Sequence, residues 1–98
     1  MTKQGQYQAI LLHENDNVIC LLRDMSAGEQ PMVDGANPPA LLQDTTLGHK
    51  ISLTKIGRDA PVVKYGEVIG QATQDIEPGE HVHLHNLTGL HQSETDPA

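Results

Sequence analysis

The densest chemistry in the chain is "GEHVHLHNL" (79–87), where His81, His83 and His85 fall within five residues. Imidazole can ligate a metal, move a proton near neutral pH or hydrogen-bond an anion. In a regular strand alternate side chains share a face, so the histidines point one way and Val82, Leu84 and Asn86 the other. His81 and His85 would then stand about 13 Å apart. One ion with bonds of about 2.1 Å cannot span that gap. The pattern therefore allows a neighbouring pair on a metal, His83 with His85, with His13 or His49 completing the set. A face for another subunit and a plain solvated face remain open alternatives.

Two shorter motifs carry charge beside a turn. "GHK" (48–50) sets His49, a candidate acid–base group, next to Lys50, a candidate partner for a carboxylate. Its plain alternative is that Lys50 solvates a strand end. "KYG" (64–66) would place Lys64 and Gly66 on one side of a strand and Tyr65 on the other, packed in the core. Asp16 and Asn17 in "NDNV" read as a turn that starts a strand. His91, in the polar end "TGLHQSETDPA", reads as solvated.

The elements that must position these groups are short. β-branched runs recur at 7–13, 17–23, 49–55, 60–66, 67–73 and 80–86, most of them bounded by Gly, Pro, Asn or Asp. No segment keeps helical periodicity, and 38–46 has room for one helical turn or a strand at 40–44. A turn device repeats without gaps at 23–32, 54–63 and 74–83. In each copy an apolar Met or Ile docks into the core. Gly28, Asp59 or Gly79 follows three residues later, where a positive φ is needed. The expected fold is mainly β, compact and loop-rich, with at most one short helical turn.

Composition narrows the class further. The 98 residues hold no Trp or Phe and two Tyr, so the core is aliphatic and thin. Thirteen acids against six Lys and Arg give a net charge of −7, with no clustered basic surface for a phosphate backbone. No apolar run is long enough to cross a membrane, and the first residues lack the apolar centre of a signal peptide. A lone cysteine, Cys20, excludes an internal disulfide. Soluble, cytoplasmic and without nucleic-acid partners is the expectation.

"HENDNV" (13–18), "LGHKISL" (47–53), "VVKYGEVIGQAT" (62–73) and "DIEPGEHVHLHNL" (75–87) occur in an order and spacing that resembles a known family. It is the SAF-type, β-clip small domain of altronate and galactarate dehydratases, similar also to the small subunit of sulfolactate sulfo-lyase. Leu84 departs from the Thr usual in the family, and 30–46 follows no family pattern. The resemblance implies a β-clip over 7–87, with flexible ends at 1–6 and 88–98. It further implies a module that helps bind a carboxylated sugar acid or sulfo-acid beside a larger dehydratase-like catalytic chain. His49, Lys50, His81, His83, His85 and Asn86 would be the substrate-binding residues. A divalent metal, iron or manganese, is implied too, held mainly by the larger chain. A start Met and an acidic tail point to a separate small polypeptide. Two competing expectations are a stand-alone module that binds a carboxylated metabolite or a metal, and a homo-oligomerisation module.

Overall fold

A computed structural model describes residues 7–89. Of the expected flexible ends, 1–6 and 88–98, all but Thr88 and Gly89 lie outside the described residues. Seven short strands form two antiparallel sheets, and there is no helix among the described residues. The first sheet has the order β1 (Ala9–Ile10), β2 (Val18–Leu21), β3 (Lys50–Ser52) and β6 (His81–Val82). The second has β4 (Pro61–Lys64), β5 (Glu67–Ala72) and β7 (Leu87–Gly89). The expected strand order is present, but each run is shorter, and 38–46 contains neither helix nor strand. No helix here is long and apolar enough to cross a membrane.

Alternation within the first sheet explains how so few residues make a core. Val18 and Ile19 are both buried yet belong to different clusters, because neighbouring side chains leave opposite faces of a strand. Ile19 and Ile51, paired across β2 and β3, join Ala9, Leu21, Met25 and Leu41 on one face. Val18 and Val82 pack on the other against Ile56, Val62, Ala72 and Ile76. The core is aliphatic, as the composition requires.

Four copies of the turn device hold the sheets together, one more than the sequence comparison gives. The fourth is "QDTTLGH" (43–49), hidden because Thr45 stands where the others have Met or Ile. Gly28, Gly48, Asp59 and Gly79 all have φ between 72° and 90°. The copies work as pairs. Met25 and Thr45 exchange two backbone hydrogen bonds of 2.9 Å, while Asp24 accepts from the Leu47 N–H and Asp44 from the Ala27 N–H. Ile56 and Ile76 repeat the exchange, and Asp75 accepts from the Arg58 N–H. Lys55 replaces the reciprocal aspartate and instead forms an exposed ion pair with Glu77 at 3.7 Å.

Two expectations are corrected here. Tyr65 does not pack in the core. It has φ 60° and sits with Gly66 (φ 74°) at the exposed tip of the β4–β5 hairpin. Two consecutive positive φ values make the tight turn whose twist suits a two-residue hairpin. The polar end also begins later than 88, because Thr88 and Gly89 pair with β5.

The hairpin tip is fastened from a distance. Asp16, buried, accepts from the Tyr65 N–H at 3.0 Å and the Gly66 N–H at 2.8 Å. Asp16→Ala deletes two charged hydrogen bonds and should lower stability by about 2–3 kcal/mol in denaturant melts. Asp16→Asn, which keeps one acceptor, should lose about half as much. Equal stability of all three proteins would show that the tip is not held this way.

Candidate functional site

The register between β3 and β6 builds the histidine cluster. Ile51 pairs with His81 and Lys50 with Val82, so one further step along the ladder sets His49 opposite His83. His49, His81 and His83 thus leave the same face at the open end of this strand pair. His49 Nδ1 and His81 Nε2 are 2.9 Å apart. The His81 and His83 rings stack at 5.4 Å with 7° between planes, and His49 meets both edge-on at 4.8 and 5.2 Å. One nitrogen from each of the three rings lies within 4.8 Å of the others.

The strand ends sooner than alternation predicts, and this is a correction. β6 stops at Val82, and 83–86 form a turn closed by the Asn86 N–H donating to the His83 carbonyl. Leu84 is therefore not a core residue but 70% exposed at the turn. The same turn cancels the 13 Å separation expected along an extended strand, and the His85 ring comes to 5.7 Å from that of His81.

Asn86 is fully buried and holds this turn from beneath. Its Oδ1 accepts from the His83 N–H at 2.9 Å, and its amide donates to the His81 carbonyl at 2.8 Å and weakly to Glu80 at 3.4 Å. With its side chain enclosed, it positions the two histidines rather than facing a substrate. Gln43, which the sequence reading passed over, accepts from the His81 N–H at 3.3 Å. Its signal was present: "QD…G" at 43–48 repeats "QD…G" at 74–79.

His49 departs from its own turn device. The residue after the turn glycine is Glu29 in the first copy and Glu80 in the last, and each carboxylate closes its turn by accepting from the N–H of Ser26 or Glu77. In the second copy that position carries His49. The turn gives up a stabilising carboxylate, and the imidazole goes to the cluster instead. The third copy, with Ala60 at that position, lacks the carboxylate as well.

His13 is not part of the cluster. It lies against Gly66 at the hairpin tip and accepts from the Asn15 N–H through Nδ1. The trio that meets is therefore His49, His81 and His83, rather than His83, His85 and His13. Lys50, next along the chain from His49 and paired with Val82, leaves the other face of β3, although its charge still acts on His81, and it makes no ion pair among the described residues. The donor set is three imidazole nitrogens without a carboxylate or thiolate. Such a set suits iron better than manganese, which favours oxygen ligands.

Burial holds the His81 pKa down at about 4, with the charges of His49, His83, His85 and Lys50 adding to the effect. A histidine kept neutral by folding takes up protons more readily once unfolded. Its contribution is complete above the ordinary value near 6.5 and is lost as pH falls toward 4. Because the ring is partly solvated, the loss should be about 1 kcal/mol. Melts of the metal-free protein from pH 7 to 4 should therefore fall more steeply for wild type than for His81→Gln. Parallel curves would remove His81 as the cause.

The site is an open wall. A groove of about 410 Å³ lies elsewhere, lined by Tyr7, Ala9, Ile10, Leu11, Leu22 and Asp34, with no histidine in its lining. The cluster instead opens to solvent, with His49 and His81 half-buried and His83 and His85 exposed. Such an arrangement can hold an anion or a cation on one side only, so a second surface must complete it.

Two small antiparallel sheets clasped by paired turns, with a histidine wall at one edge, define a β-clip module. Residues 7–90 match the family described as the altronate/galactarate dehydratase SAF domain, and the chain belongs to that family. It is 46% identical over 79 residues to altronate dehydratase of Escherichia coli (strain K12), covering 81% of this chain and 16% of that one. It is 44% identical over 77 residues to altronate dehydratase of Bacillus subtilis (strain 168), covering 79% and 15%. A 41-residue stretch, 42% of this chain, is 44% identical to the (2R)-sulfolactate sulfo-lyase subunit alpha of Chromohalobacter salexigens and covers 44% of it. The chain thus spans about a sixth of the length of the dehydratases it matches.

Proposed function

We propose that this chain is the substrate-side module of a sugar-acid hydro-lyase or a related sulfo-lyase, working beside a larger catalytic region. That region is either continuous with the chain or a separate subunit. The observation that carries the reading is the family match across 7–90, set against the small share of each dehydratase that it represents. The site agrees in character. Elimination beside a carboxylate needs a base for the α-proton, an acid for the leaving group, and positive charge facing the carboxylate as it gains electron density.

Lys50 supplies positive charge near the cluster, and the imidazole rings supply ring nitrogens that can donate or accept. These groups can bind and orient an anionic acid. One open wall has no means of excluding water from the reacting carbons, which assigns closure to the larger region.

Assays of the 98-residue chain alone on altronate, galactarate and sulfolactate test this division of labour. No turnover is expected from the chain by itself. A reproducible elimination rate from it, abolished by His83→Ala, would make the module a complete enzyme and overturn the reading.

A further inference from the structure

The geometry points to a divalent metal site carried by this module itself, with His49, His81 and His83 as its ligands. Two imidazole nitrogens 2.9 Å apart either share one proton or face one cation. Two metal–nitrogen bonds of about 2.1 Å at a right angle place their nitrogens about 3.0 Å apart, which is the spacing of His49 Nδ1 and His81 Nε2. The pair therefore already has the edge of a coordination polyhedron. Both rings are half-buried; His81 opens β6 and His49 immediately precedes its partner β3, held there by its carbonyl accepting from the Leu21 N–H, so paired backbone sets the edge.

The third nitrogen, on the exposed His83, lies within 4.8 Å of the other two. It has only to rotate inward to close the face, and Asn86 fixes the backbone from which it swings. Three imidazoles on one face leave the outward positions of the ion free for a ligand or a partner's side chain. With no oxygen donor in the set, magnesium and calcium are disfavoured, and a first-row ion such as iron(II), cobalt(II) or zinc(II) is the class that fits. Because the ligands are neutral, the bound ion keeps its full charge toward an anion approaching from the open side.

The test uses the untagged, metal-stripped 98-residue chain, without substrate or partner. Cobalt(II) titration followed by visible absorption, and zinc(II) titration by calorimetry, should each give one ion per chain. His49→Ala and His81→Ala should each weaken binding by at least about tenfold, and His13→Ala by less than about twofold. Histidine ring signals in the wild-type protein provide a reading that does not depend on variant folding. Zinc should shift those of His49, His81 and His83 and leave His13 unmoved. Unchanged signals and no heat would overturn the site, as would binding whose shifts fall on His13 or on histidines outside the trio. Either failure leaves the lyase reading standing, since nothing in the measurement involves turnover.

Discussion

Gly79→Ala should be among the most damaging additions of a single methyl group within the described residues. Gly79 has φ 86°, and a Cβ there would overlap the Ala40 carbonyl oxygen. The same residue donates its N–H to the Ser52 carbonyl at the end of β3 and accepts from the Leu42 N–H. Three segments therefore converge on it two residues before His81. A left-handed alanine costs about 1–2 kcal/mol, and forcing apart packed backbone adds about 1–3 kcal/mol.

Against the roughly 5–15 kcal/mol expected of a domain this size, the melting temperature should fall by at least about 8 °C. Gly28 provides the internal control. It occupies the equivalent turn position with φ 90°, but nothing lies within 4 Å of its would-be Cβ. Gly28→Ala should therefore cost only about 1–2 kcal/mol. If the two variants melt within a few degrees of each other, the convergence at Gly79 is not what organises this edge.

His81→Ala should have the largest effect on function, measured in the assembled lyase rather than the isolated module. His81 touches both other members of the trio and is half-buried between them. Its loss should lower kcat/KM by about 100-fold, the scale of a positioned acid–base or binding group. His13→Ala, at the far hairpin tip, should change it less than about threefold. The assay also separates a reactive wall from a mere docking face. If the cluster only mates subunits, His81→Ala weakens assembly and saturating amounts of the larger chain restore full turnover. The proposed role predicts that saturation restores nothing.

The parts of this molecule that were legible in its sequence share a cause. Strand positions, the aliphatic core and the positive φ at Gly28, Asp59 and Gly79 follow from local chemistry, because only certain residues tolerate those backbone angles. The fourth turn was harder to see because its third residue is Thr45, whose burial depends on a backbone exchange with Met25 rather than on its own hydrophobicity. Alternation placed His81 and His83 on one face but carried the strand too far. The stop at Val82 depends on Asn86, a polar residue buried beneath a turn, and period-two patterns contain no term for it.

His49 joined the cluster through strand pairing across 32 residues, a register that no local motif specifies. Tyr65 misled in the opposite sense. Its aromatic ring suggested burial, whereas Asp16, 49 residues away, accepts from its N–H at the exposed tip.

The central claim is that this chain works as one wall of a larger lyase. Its most direct test is to tag the chain in its native host, purify it under mild conditions and identify what accompanies it. The account predicts a dehydratase-like region several times the module's size, in stoichiometric amount or on the same polypeptide, and an eluate that eliminates water or sulfite from a carboxylated substrate. Recovery of the 98-residue chain alone, as a monomer or a homo-oligomer, from an eluate inactive on altronate, galactarate and sulfolactate would contradict it.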